Sequence, residues 1–158
     1  GLPNVKKAPD ALKAWITPKA LELFSKYNVL SEKELRSRYD IYKEEYEKTI
    51  HIEAQTALLM AKTMVVPAVM TAQGELAANI KAVISAGGTA AGARASLKAI
   101  CAETEKLYKA VALLEKAAGA EKELVALMQT RAAVDALELM VDAALWPLPT
   151  YEEMMFMI

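Results

Sequence analysis

One amphipathic run, unbroken from Ser31 to the Gly87-Gly88 pair, limits what this chain can fold into more than any other feature. It opens on Ser31-Glu32-Lys33-Glu34, a capping box. The serine hydroxyl can accept from the third helical N–H while the glutamate reaches back to the serine N–H. Val29 before the box and Leu35 after it fit a hydrophobic staple. Leu35, Tyr39, Tyr42, Tyr46 and Ile50 then recur at spacings of four, three, four and four, and the pattern continues through Ala54, Leu58, Ala61 and Val65. That is one face of a helix. Pro67 lies inside the run and predicts a kink, or an unmade bond from position 67 to position 63. A straight helix over 32–85 would be ~80 Å long, and such a rod needs a partner along most of its length.

The following sequence supplies one. After Gly87–Gly92, the residues Leu97, Ile100, Thr104, Leu107, Val111 and Leu114 alternate spacings of three and four, close to a coiled-coil seam. Gly119 ends this helix, and Leu124, Leu127, Val134, Leu137 and Val141 mark the inward side of another. Short connections imply antiparallel neighbours. Before the long run, Thr17-Pro18 reads as an N-cap with proline at the first helical position, and Asn28 as a left-handed stop. The predicted fold class is therefore all-α: an elongated antiparallel bundle of three long helices, one kinked near Pro67, with short N-terminal helices and an apolar C-terminal tail. The length suits a single helical domain, with short helices in 1–30, a long helix over 31–86, helices over 93–118 and 120–145, and a docking tail over 146–158. Trp146-Pro147-Leu148-Pro149 cannot continue a helix, and Thr150-Tyr151-Glu152-Glu153 offers a second capping box before Met154-Met155-Phe156-Met157-Ile158. Large apolar side chains left in water cost ~1.5–3 kcal/mol each, so this tail is expected to dock.

Composition agrees with helix and narrows the partners. Alanine, the best helix former, supplies 30 residues. Nineteen basic residues face 20 acidic ones, so no basic excess exists to neutralise phosphates and nucleic acid is not expected as a partner. The longest uncharged runs, Thr63–Gly74 and Ala82–Ala93, give twelve residues each, short of the ~18 of a membrane span. No membrane partner is expected. Cys101 is the single cysteine and cannot form an internal disulfide; among apolar neighbours it reads as a small core residue. Cytoplasmic localisation is the natural expectation. A chain opening on Gly1 rather than Met reads as a cleaved tag, a processed chain or an excised fragment.

No complete catalytic set can be assembled. His51 has no second His or Cys to build a zinc site, and Glu47 one turn away is a natural hydrogen-bond partner for it. Gly87-Gly88-Thr89-Ala90-Ala91-Gly92 lacks the Gly-Lys-Ser/Thr ending of a phosphate loop and follows no strand, so it reads as a helix–helix turn. Glu44, Glu45, Glu47 and Glu53, interleaved with Lys43 and Lys48, read as a solvated face rather than an acid–base pair. Arg131 interrupts the inward stripe of the last helix and is expected to snorkel at its edge. What remains are candidate interface residues: the stripe Tyr39, Tyr42 and Tyr46, and Trp146, Tyr151 and Phe156 of the tail. The span Ala54–Ala102 carries only five charges, Lys62, Glu75, Lys81, Arg94 and Lys98. Such a charge-poor hairpin is expected to be covered by protein.

Several segments together resemble the C-terminal region of type III glutamine synthetases. They are Thr17-Pro18-Lys19-Ala20 with Leu23-Phe24, Ser31–Tyr39, Lys48-Thr49-Ile50-His51-Ile52-Glu53-Ala54, Pro67-Ala68, and Leu145-Trp146-Pro147-Leu148-Pro149-Thr150-Tyr151. His51 stands where the family would have Asn, and the last residues are richer in Met than usual. The resemblance implies a parent that ligates ammonia to glutamate with ATP and Mg, assembled as a double ring of subunits. Its nucleotide, metal and glutamate sites would lie in upstream domains. It implies no catalytic, cofactor-binding or metal residue in this chain. The expected partners are the upstream catalytic domain and neighbouring subunits of the same enzyme, with homo-oligomerisation in the parent. A freestanding helical protein-binding module is the competing reading, and a small helical enzyme a remote third.

Overall fold

In the computed structural model the described residues are 4–5, 7–149 and 151–156, with the side chains of Tyr151 and Glu152 excepted. They form helices and turns, with no strand among them. The helices are α1 (Ala8–Lys13), a 3₁₀ turn (Ala14–Ile16), α2 (Pro18–Lys26), α3 (Glu32–Met60), a π-helical segment (Ala61–Val65), α4 (Val66–Ser85), α5 (Ala91–Lys116), α6 (Ala120–Glu138) and α7 (Tyr151–Met155). Where length suggests a single domain, the chain divides into two compact units, Gly1–Glu53 and Ala54–Ile158. The boundary falls within α3, where side-chain periodicity does not change. It coincides with the drop in charge density at Ala54.

In the unit Gly1–Glu53 the local signals act as their chemistry dictates. The Thr17 hydroxyl accepts from the Ala20 N–H at 3.4 Å, with Pro18 opening α2. Asn28 adopts φ 52°, and the Val29 N–H donates to the Phe24 carbonyl at 3.0 Å, closing α2 with a left-handed cap. The capping box is formed. The Ser31 N–H and Oγ–H donate to Glu34 Oε2 at 2.8 and 2.7 Å, and the Glu34 N–H donates to Ser31 Oγ at 3.4 Å. The staple, however, does not use Val29, which is 61% exposed. The residue directly before the N-cap is Leu30, which is half-buried, and Leu35 is fully buried.

The hydrogen bonds from the Ser31 hydroxyl and N–H hold the Glu34 carboxyl below the ordinary glutamate range. A carboxyl with a depressed folded-state pKa stabilises the fold above its unfolded pKa, and that contribution is lost as pH falls through the folded value. Amide protection at the first turn of α3, taken relative to the intrinsic exchange rate at each pH, is therefore expected to fall on acidification below the usual glutamate pKa. Ser31→Ala should shrink that acid step, because it deletes the hydroxyl bond and keeps the backbone one; an unchanged pH profile in the variant would place the dependence on another group.

The unit Ala54–Ile158 holds the main core. α5 packs between α4 and α6, and the π segment touches α6. Ala61, Val65, Val69, Ile100, Leu107, Val111, Ala133, Leu137 and Val141 form one buried cluster. A second cluster joins Ala54, Leu114 and Ala126. The predicted inward positions of α5 are buried apart from half-buried Leu97, and Ala110, which the spacing did not single out, is buried with them. On α6 the buried face is Glu123, Ala126, Thr130, Ala133 and Leu137, so the predicted Leu124, Leu127 and Val134 flank it half-buried. Small residues bring α6 close to its neighbours, and the larger leucines fill the margins. Cys101 is exposed, which corrects its assignment to the core. Ile100, 1% exposed, takes the inward place, and the next residue is turned away by one helical step.

Pro67 produces a π turn rather than a simple kink. The Val66 N–H caps the segment by donating to the Ala61 carbonyl, a bond one residue longer than the α pattern. That wider turn just before the proline accommodates a ring that would otherwise meet the carbonyl four residues back. Lys62 in the π segment pairs with Glu115 of α5. Gln73 Nε2 donates to Thr104 Oγ1 at 2.9 Å, tying α4 to α5 within the core. An 18-residue window in Glu32–Ser85 reaches mean hydropathy 1.2, so by length and composition this helix could cross a membrane. Here its Ala61, Val65, Val69 and Ala72 are instead packed against residues of α5 and α6.

The two turns differ. Gly87, φ 86°, closes α4, and the Gly88 N–H donates to the Val83 carbonyl at 2.9 Å. A Cβ at Gly88 would lie 2.6 Å from Val83 Cγ1. α5 begins at Ala91, two residues before the expected start. α6 ends at Glu138 rather than near Leu145. Beyond it the Asp142 carboxylate accepts from the Ala144 N–H at 2.8 Å, a side-chain bond that competes with helical pairing. The turns that follow lay Leu145, Trp146 and Leu148 onto the main cluster.

Candidate functional site

The candidate interface residues fall in two sets that belong to different units. Tyr39, Tyr42 and Tyr46 share the face of α3 set by Leu35 and Ile50, both buried. Tyr39 and Tyr46 are half-buried, and Tyr42 is 41% exposed. The Tyr42 ring meets Trp15 edge to face, centroids 5.5 Å apart at 84°. This geometry suits the ring quadrupoles, and periodicity within α3 could not reveal it because Trp15 comes from the preceding short helices. In the second set, Trp146 and Phe156 line one groove with Glu138, Val141, Pro147, Leu148, Pro149 and Glu153. Trp146 is half-buried against the core, yet its buried indole N–H has no partner among the described residues. Phe156 is 70% exposed, as are Met155 at 74% and Met154 at 48%. Thr150 and the side chain of Tyr151 lie outside the described residues.

The residues weighed for chemistry behave as surface groups. Glu44 accepts from Lys48 at 2.6 Å, and the Lys48 ammonium holds its carboxyl below the ordinary range. Glu47 lies 3.9 Å from Lys43, His51 is exposed, and Arg131 sits 3.5 Å from Asp135 on the exposed side of α6. Among the described residues no group of three or more His, Cys, Asp or Glu is placed to hold a metal ion. The N–H groups of Gly87 and Gly88 donate back into α4, to Ile84 and Val83. They therefore form a helix cap rather than a phosphate cradle.

Exposed apolar side chains are more informative. Leu59, Met64, Met70 and Ile84 stand on the solvent side of α3, the π segment and α4. A second patch lies between α5 and α6, where Leu113 and Val125, each 53% exposed, flank Ala117 and Ala126. Sequence reasoning missed this patch, because its residues sit outside both inward stripes and meet only when the two helices pair.

The comparisons with known proteins agree with one another. A family model described as glutamine synthetase C-terminal domain matches residues 1–84. Similar proteins include a glutamine synthetase from Butyrivibrio fibrisolvens, 28% identical over 173 aligned positions covering 99% of this chain and 25% of the relative. A type-3 glutamine synthetase from Dictyostelium discoideum is 37% identical over 84 residues, 53% of this chain and 11% of the relative. The chain thus spans a quarter or less of the curated relatives it matches. No solved structure matches it significantly.

Proposed function

The chain belongs to the glutamine synthetase C-terminal domain family, and we propose that it serves a type III synthetase as a structural and assembly module. In this reading it carries no active site; ligation of ammonia to glutamate with ATP and Mg belongs to upstream domains in a cytoplasmic enzyme. The observation that carries the proposal is one of extent. Nearly the whole chain aligns with a quarter of a glutamine synthetase, as expected for a part whose reacting groups lie in the remainder. Exposed apolar groups give the part something to do: Met70 and Ile84 on α4, and Met155 and Phe156 of the α7 segment, favour burial against other protein. Its partners would be the upstream catalytic domain and neighbouring subunits.

Two measurements test this. The purified chain is expected to form no glutamine from glutamate, ammonia and ATP, and turnover above background would end the reading. Deleting 54–158 from the synthetase that carries it should dissociate the assembly. An oligomer of unchanged size would refute the assembly role, and a natural chain no longer than this one would favour a freestanding binding module instead.

A further inference from the structure

Two surfaces of opposite charge stand unmatched in the unit Ala54–Ile158. The first is the end of the α4–α5 hairpin. From Leu76 to Ala102 the only charged residues are Lys81, Arg94 and Lys98, all cationic and all exposed. Among the described residues none of the three has an acidic partner. Lys81 shares a face of α4 with Ile84, which is exposed, and Arg94 shares a face of α5 with Lys98. Between Ala72 and Ile100 no residue is fully buried, and Ile80, Val83 and Leu97 of the hairpin are only half-buried. Two helices alone do not close this end.

The second surface is the corner where α6 ends. Past Arg131 the chain has no Lys, Arg or His. Asp135 faces Arg131, while Glu138 and Asp142 are exposed and have no cationic partner among the described residues. Asp142 commits one carboxylate oxygen to the Ala144 N–H and keeps the other. Between the two acids stand Leu139 and Met140, 88% and 41% exposed. The corner is an apolar step bracketed by carboxylates, and the hairpin end is an apolar seam bracketed by cations.

We propose that the hairpin end of one copy seats on the α6 corner of a second copy, with Leu139 and Met140 against Ile84 and the hairpin seam, and Glu138 and Asp142 against Lys81, Arg94 and Lys98. This rests on the assembly reading and gives it a specific contact. A second copy is the occupant because the chain supplies both unlike surfaces and joins them by no ion pair of its own. Hairpin end on hairpin end, or corner on corner, would set like charges together. Both surfaces belong to one compact unit. A two-fold arrangement therefore forms the contact twice and closes on a dimer.

Sedimentation of the 158-residue chain across a concentration series, at low and high salt, tests this. The wild-type chain should dimerise reversibly, and less tightly as salt screens the charges. Leu139→Asp, at an exposed position that leaves the helical circular dichroism unchanged, should weaken association by about thirtyfold, the size of an interface hot-spot loss. Arg94→Glu and Glu138→Arg should each weaken it by about tenfold. Combining them should recover most of the loss, because the exchanged charges again meet their opposites. Melts taken below the dimer concentration do not sense the contact, so Leu139→Ala stays neutral there. An unaffected Leu139→Asp variant, additive losses in the double variant, or a dimer indifferent to salt overturns the contact. So does a wild-type chain that stays monomeric, whose hairpin end would then be met by a different protein of acidic surface. The assembly reading itself fails only in the deletion experiment above.

Discussion

Leu107→Ala is expected to destabilise the unit Ala54–Ile158 by about 3–5 kcal/mol, in the upper part of the range for buried leucines. Leu107 is fully buried. It sits on α5, the helix that packs against both α4 and α6, in a cluster that also holds Val65, Val69, Ile100 and Leu137. Neighbours held by two other helices cannot collapse freely into the space left by three lost carbons, so the transfer and cavity costs add. For a unit of this size the melting temperature should fall by about 10–20 °C. Leu139→Ala provides the control, since Leu139 is 88% exposed just past the end of α6; its effect should stay within about 0.5 kcal/mol. Thermal melts by circular dichroism read both. Equal losses for the two variants would mean that α5 is not the centre of the core.

How much of this was legible depends on the length scale of the signal. Ser31 and Glu34 announce their own geometry because every atom of a capping box lies within four residues, and the structure forms all three of its hydrogen bonds. The inward face of α5 was legible because helical spacing alone fixes which residues share a side. The face of α6 was legible only in part. Leucine spacing favoured Leu124 and Leu127, whereas close helix packing turns Ala126, Thr130 and Ala133 inward, a choice that depends on the neighbour. The π turn before Pro67 and the early end of α6 at Glu138 follow the same rule. A proline marks a disturbance without selecting its form, and the gain from laying Trp146 on the core is tertiary. The candidate interface was legible as a set of residue types, but the pairing of Tyr42 with Trp15 and the patch at Leu113 and Val125 arise from elements brought together by folding.

Trp146→Ala should be the second large loss, about 2–4 kcal/mol, and Trp146→Phe should cost far less. The indole is the largest side chain of the stretch that lies on the core after α6, beside Leu145 and Leu148. Truncating it removes the packing that holds this stretch in place. The turn bonds from the Leu145 N–H to Asp142 and from the Trp146 N–H to Asp142 and Ala143 would then open to solvent. Phenylalanine keeps most of the apolar contact and deletes the buried indole N–H, which has no partner among the described residues. An unsatisfied buried donor costs about 1–3 kcal/mol, so its removal offsets the smaller area of the phenyl ring and the net change should lie within about 1 kcal/mol. Urea unfolding followed by circular dichroism gives both free energies, and amide exchange at 145–148 should quicken in the alanine variant alone. A phenylalanine variant as unstable as the alanine one would show that the indole N–H is satisfied in solution and that its loss brings no offset.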